Sequence, residues 1–355
     1  MDPISVNEVV AGDILLYHGD GLISKLIRFW DGTEVNHAAI CIGNGKTGEA
    51  QAKGLSRSTI DAGLKSPEYV IVRRLKSIPD TMQPVVDKAE YYLDIGNRYA
   101  YEQILLLGFL GISRKLRANT CLKWLLRKLL DQAADWLTAN GDKQPMICSE
   151  YVYRCYDEAL PAEHDPYTLN IDPLPVAAAG GTRGVRSTTR PAPNNNIHRD
   201  SLLAWVDEIT SSRDRAAFSS LLRSIREAPT RKTIRPLSAE EKKISSMPLD
   251  DLIDQYLQET RKPITRSLAQ DASLRSPEML ASIEKFGAAL YAADKPTPAS
   301  EKRRLRRGPE DQVADHLSHL LKTAADFVTP GDLLKCIDLD SIGKIMPKTQ
   351  ESLES

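Results

Sequence analysis

Strand-length apolar segments crowd the first 75 residues and helical periodicity takes over after them, and this segregation limits the fold more than any other feature of the chain. Residues 12–17 (Gly-Asp-Ile-Leu-Leu-Tyr), 36–42 (Asn-His-Ala-Ala-Ile-Cys-Ile) and 47–52 read as short buried strands. Residues 69–75, with Val70, Ile71 and Val72 in succession, read as a further strand. From Thr81 to Leu93 the apolar residues Val85, Val86, Ala89, Tyr92 and Leu93 fall at helical spacing, and two more helices are expected over 100–117 and 120–139. Strands grouped apart from helices point to an α+β domain.

The 355 residues exceed one typical domain, so two units are expected. Residues 173–196, rich in Pro, Ala, Gly and Asn, have the composition of a linker. Beyond them the pattern is helical: Leu202, Trp205, Val206 and Ile209 form one stripe, Phe218, Leu221, Leu222 and Ile225 a second, and Leu249, Leu252, Ile253 and Tyr256 a third. The expected organisation is a first domain over 1–175, a linker over 176–199, a helical accessory region over 200–325 and a tail over 346–355.

Charged residues make up 27% of the chain and balance to a net charge of −1. No global field draws such a chain to nucleic acid or anionic lipid, and no nucleic-acid partner is expected. The basic run Lys302 to Arg307 reads more simply as a solvated face than as a binding site. Five cysteines, an odd number without a repeating spacing, suit reduced thiols in a cytoplasmic compartment better than a disulfide scaffold. There is no Cys-x-x-Cys pair and the six histidines are scattered, so a structural zinc site is not expected. The N-terminus shows no signal-peptide pattern. The longest apolar run, Ile104 to Ile112, falls well short of the roughly 20 residues of a membrane-spanning helix.

Three residues suggest chemistry. Cys148 stands three residues after Pro145, where a helix is expected to begin, and a thiol there feels the positive end of the helix dipole, which favours thiolate. Cys155 is on the same helix without that field and reads as structural, as do Cys41 and Cys121. His37 is on a strand, and Glu49 is on the strand after it. A two-residue Asn44-Gly45 turn between those strands places Glu49 opposite Ile40, on the face away from His37. A three-residue loop or a bulge places Glu49 opposite Ala39, diagonal to His37 and on its face. A Cys-His-Glu set therefore requires the second arrangement. Tyr17, at the end of the first strand, is a candidate for an oxyanion or substrate contact, although a half-buried strand tyrosine is the simpler reading.

Gly12-Asp13-Ile14-Leu15-Leu16, Asn36-His37-Ala38-Ala39-Ile40, Gly48-Glu49-Ala50 and Cys148-Ser149-Glu150-Tyr151-Val152-Tyr153 together resemble the circularly permuted, NlpC-type papain-like proteins. That group includes the YiiX-like bacterial proteins and, more distantly, the lecithin:retinol acyltransferases. The resemblance covers residues 8–165. It implies a permuted papain-like domain and a cysteine peptidase or amidase activity without cofactor or metal, with Cys148 as nucleophile, His37 as base and Glu49 as its orienting partner. It also implies a peptide, peptidoglycan-like or acyl substrate. Two alternatives stay open: a lipid acyltransferase or thioesterase on the same fold, favoured if the Ile104–Ile112 segment is exposed, and a non-catalytic binding module. Phe327-Val328-Thr329-Pro330-Gly331-Asp332-Leu333-Leu334 is similar to an element that closes such domains. That likeness makes the helical region an insertion, with 326–345 completing the first domain.

Overall fold

The structure is a computed structural model, and it describes residues 1–51, 54–77, 79–95, 102–119, 121–139, 146–160, 166–171, 198–211, 238–262, 274–294 and 308–347. The linker over 173–196, the stripe from Phe218 to Ile225, the basic run Lys302 to Arg307 and most of the tail lie outside these residues. The described residues are α+β and divide into two compact units. One is drawn from Met1–Glu102, Met146–Asn195 and Phe327–Ser355, the other from Gln103–Pro145 and Asn196–Asp326.

The first unit is built on a six-stranded antiparallel sheet. Its strands are β1 (Ile14–His18), β2 (His37–Gly43), β3 (Lys46–Gln51), β4 (Gly54–Thr59), β5 (Tyr69–Leu75) and β6 (Leu339–Ile345), in the spatial order β4-β3-β2-β1-β5-β6. Alternation along the strands gives the sheet two apolar faces. Ile14, Leu16, Ala38, Ile40, Ala50 and Ile71 belong to one core with α3 (Gln83–Ile95) and α6 (Cys148–Asp157). Leu15, Tyr17, Ala39, Cys41, Val70 and Val72 belong to another, with Ile60 of the short helix α2 (Ile60–Gly63), Leu64 and the N-terminal Ile4, Val6 and Val9. A fully buried Leu or Ile stabilises such a core by about 1.5–3 kcal/mol.

The C-terminal segment is part of this unit. β6 runs beside β5 from Val70↔Ile345 to Leu75↔Leu339. Before it, a short helix α12 (Pro330–Lys335) starts at a capping box: Thr329 Oγ1 accepts from the Asp332 N–H at 3.1 Å, and Asp332 Oδ2 accepts from the Thr329 N–H at 2.9 Å. Pro330 at the first helical position loses no hydrogen bond there.

The second unit is helical: α4 (Glu102–Ser113), α5 (Leu122–Ala139), α7 (Leu202–Ser211), α8 (Ala239–Ser246), α9 (Leu249–Thr260), α10 (Pro277–Ala293) and α11 (Pro309–Ala325). Here the structure departs from the domain boundaries expected from sequence, because α4 and α5 belong to this unit and not to the domain over 1–175. The physical reason is α4 itself, whose residues from Ile104 to Ile112 are apolar on every side and buried. Such a helix needs other helices around it. Phe109 meets Phe286 of α10 edge to face at 5.3 Å between ring centres. The segment is core, not an exposed apolar surface.

Candidate active site

The β2–β3 hairpin fixes the first pair of candidate residues. Asn44 and Gly45 form its tip, both at positive φ (51° and 69°). These are the values of the two-residue turn that suits twisted strands. Gly43 pairs Lys46, Cys41 pairs Thr47 and Ala39 pairs Glu49, so Ile42 is an extra residue on β2. The connection thus has a two-residue turn and a bulge, and the bulge shifts the register so that Glu49 faces Ala39. His37 and Glu49 then project from the same face, and His37 Nε2 lies 3.0 Å from Glu49 Oε2. The Glu49 side chain is 5% exposed and that of His37 17%. A carboxylate withdrawn from water and bonded to an imidazole sets the orientation of the ring.

Tyr17 pairs His37 across the β1–β2 ladder, with ring centres 5.2 Å apart. It is fully enclosed rather than half-buried, and its buried hydroxyl has no hydrogen-bond partner among the described residues. Burial, with the Glu49 charge adding to it, pushes the Tyr17 phenol far above its ordinary value and keeps it neutral.

Cys148 is the first residue of α6, with Ile147 as N-cap. Its side chain is fully buried, as is that of Cys155 further along the helix. Burial drives the Cys155 thiol far up and also raises Cys41, while burial beside Glu259 pushes Cys121 up to about 12. These three are inert thiols at neutral pH.

Two sets of bonds orient α6 relative to β2. At its start, Ser149 Oγ donates to the Val328 carbonyl at 2.7 Å, and the adjoining Thr329 Oγ1 donates to Asp31, six residues before His37. At its last turn, Tyr156 Oη donates to the Gly12 carbonyl, and the Gly12 N–H donates to the Cys41 carbonyl at 2.8 Å. The helix therefore runs in the same sense as β2, with Cys148 toward the end of the strand that begins at His37. The aromatic stripe of α6 packs on the Ile40–Gly48 face, where Tyr151 Oη meets the place a Gly48 side chain would take. His37 and Glu49 project from the other face. The structure brings His37, Glu49 and Tyr17 together and places Cys148 at the same end of the sheet.

The Gly12-Asp13 motif proves to have a structural task that sequence reasoning did not assign. Asp13, 1% exposed, receives Arg74 Nε at 2.6 Å and a second guanidinium nitrogen at 2.7 Å, and it accepts from the Val10 N–H. This bidentate pair ties β5 to the turn that starts β1. Among the described residues no group of three His, Cys, Asp or Glu side chains is close enough to hold a metal ion. Among them, too, no helix is long and apolar enough to cross a membrane.

No known protein family matches the sequence. No curated protein matches it either. Among solved structures the chain is similar to the crystal structure of the metalloprotein yiiX from Escherichia coli O157:H7, at 19% identity and a TM-score of 0.28. The match covers 42% of this chain and 66% of that one, just under two thirds of its length. A likeness this slight carries no argument about either protein's chemistry.

Proposed function

We propose that the first unit is a YiiX-like, permuted papain-like thiol hydrolase that cleaves an amide bond, in a peptide or a peptidoglycan-like cross-link. The observation that carries this reading is the His37–Glu49 pair, its carboxylate buried, on the sheet against which α6, begun by Cys148, packs. In this reading His37 takes the Cys148 proton and the thiolate sulfur bonds to the carbonyl carbon. The carbonyl oxygen becomes an oxyanion that accepts hydrogen bonds from backbone N–H groups in the first turn of α6. Collapse breaks the C–N bond, and the leaving amine takes the proton from His37. Water, deprotonated by His37, then cleaves the thioester and restores the thiol. Glu49 keeps the imidazole aligned and stabilises its charged form.

Two observations set conditions on this mechanism. Cys148 is covered, so substrate must displace what lies over the thiol, and His37 must meet it around the end of β2 rather than across the sheet. The same two observations favour a second reading, in which the domain is a binding scaffold and Cys148 is a packing residue like Cys155. The buried Ile104–Ile112 segment lends no support to a lipid acyltransferase, which an exposed segment would have favoured. A thiol-directed activity probe with a peptide-like warhead decides. The hydrolase reading expects labelling at Cys148 that His37→Ala weakens and Cys148→Ala removes. Labelling of Cys148 no faster than Cys155 is the scaffold's result.

A further inference from the structure

The chain returns to the first unit at Met146 and again at Phe327, and the two returns meet beside Cys148. Cys148 follows the first by two residues, and Val328 follows the second by one. The Ser149 hydroxyl, fully buried, joins them by its bond to the Val328 carbonyl, across 179 residues of sequence. The segment after Val328 is held in turn by Asp31, itself buried. Its Oδ1 accepts from Thr329 Oγ1 at 2.9 Å and its Oδ2 from the Gly331 N–H at 2.8 Å. A side chain at Gly331 has no room, because its Cβ would strike the Asp31 carboxylate and come within 2.5 Å of Thr33 Cγ2. Ile147, at the N-cap of α6, has no polar side chain with which to fix the first turn.

We infer that Ser149 and Asp31 are positioning residues for Cys148. Through Val328, Thr329 and Gly331 they staple the first turn of α6 to the end of α1 (Leu22–Asp31), in place of the missing cap. The staple keeps the N–H groups of that turn aligned at the thiol, where they stabilise its ionised form. This inference rests on the thiol reading above. It assigns a role to two side chains that touch neither the substrate nor the reacting sulfur.

The test is the pH profile of iodoacetamide alkylation at Cys148 in the full chain, resolved from Cys155 by peptide mass spectrometry. The midpoint is read rather than the rate, because loosening the staple also exposes the thiol. Ser149→Ala and Asp31→Asn are expected to raise the Cys148 midpoint by about one pH unit, a tenfold loss of thiolate. Ser149→Thr, which keeps the hydroxyl, is expected to restore it, and Cys155 is expected not to respond. A Ser149→Ala chain that melts lower but keeps the wild-type midpoint would overturn the inference and leave the thiol reading intact. If wild-type Cys148 reacts no faster than Cys155, the thiol reading fails and takes the staple's catalytic role with it. Should Asp31→Asn fail to fold, the Ser149→Ala and Ser149→Thr pair decides alone.

Discussion

His37 Nε2 and Glu49 Oε2 are 3.0 Å apart because one residue, Ile42, is extra on β2. Without that bulge the Asn44-Gly45 turn would pair Glu49 with Ile40 and send its carboxylate through to the α6 side of the sheet. The dyad therefore depends on a backbone irregularity, and bulges of this kind re-aim side chains next to active sites.

Under the hydrolase reading the members of the set differ in weight. Cys148→Ala removes the nucleophile, whereas Glu49→Gln leaves a hydrogen-bonding group of the same shape beside His37 and removes only its charge. The loss in turnover on Glu49→Gln is expected to be about a hundredfold smaller than on Cys148→Ala. Steady-state kinetics on the first substrate identified will measure it. Equal losses would give Glu49 a more direct part than orientation.

The hairpin tip gives a prediction free of chemistry. Gly45 has φ of 69° and none of the described residues within 4 Å of where its Cβ would stand, so a side chain there meets a conformational penalty and no clash with them. Gly45→Ala is expected to cost about 1–2 kcal/mol in a urea titration. Gly48 is the opposite case, with φ unremarkable and Tyr151 Oη in the way. Gly48→Ala is expected to cost about 1–3 kcal/mol by pushing α6 off β3. Adding Tyr151→Phe, which deletes the obstructing oxygen, should recover part of that loss. No recovery would mean that the ring, not the hydroxyl, sets the spacing.

Glu34 supplies a pH dependence. Tyr69 Oη donates to its carboxylate at 2.5 Å and Lys344 Nζ stands 3.2 Å away. The Tyr69 hydrogen bond, with Lys344 assisting, holds its pKa below the ordinary value. A carboxylate lowered in the folded state binds fewer protons there than in the unfolded chain. Its stabilisation is complete above the ordinary carboxylate range and disappears as pH falls through the lowered folded value. Glu34 is 41% exposed, so the contribution is at most about 1 kcal/mol and shrinks with salt. Urea midpoints from about pH 7 to about pH 2 should show Glu34→Gln weaker than wild type at the upper end and equal to it at the lower. A gap that persists at the acid end would mean that shape, not charge, is what Glu34 contributes.

Much of this was legible in the residues. Alternation and β-branched content gave β1, β2, β3 and β5, and the requirement for a bulge or longer loop followed from side-chain parity alone. β4 was not legible, because Leu55-Ser56-Arg57-Ser58-Thr59 is an edge strand with few apolar residues to show a pattern. α1 was missed for another reason: its apolar stripe, Leu26, Ile27 and Trp30, is short and has a glycine, not a capping side chain, before it. The domain boundary failed because an apolar helix declares that it is buried without declaring against what. The side of the sheet on which Cys148 is buried could not be read from the residues. It depends on which face of the sheet α6 covers, and no local pattern encodes that.

The apolar helix separates the surviving readings most sharply. A lipid-handling protein needs apolar surface open to a ligand, but α4 spends its apolar residues inside the helical unit, where Phe109 and Phe286 are both buried. Phe286→Ala leaves a cavity among α4, α5 and α10, and such truncations cost about 3–5 kcal/mol. The helical unit is expected to lose its cooperative melt by nearly that amount. The His37–Glu49 pair belongs to the other core, and the labelling of Cys148 relative to Cys155 is expected to hold wherever the variant remains folded. If Phe286→Ala instead leaves the melt unchanged and alters binding of a fatty-acyl probe, the α4 surface is in use as a ligand site and the acyl reading returns.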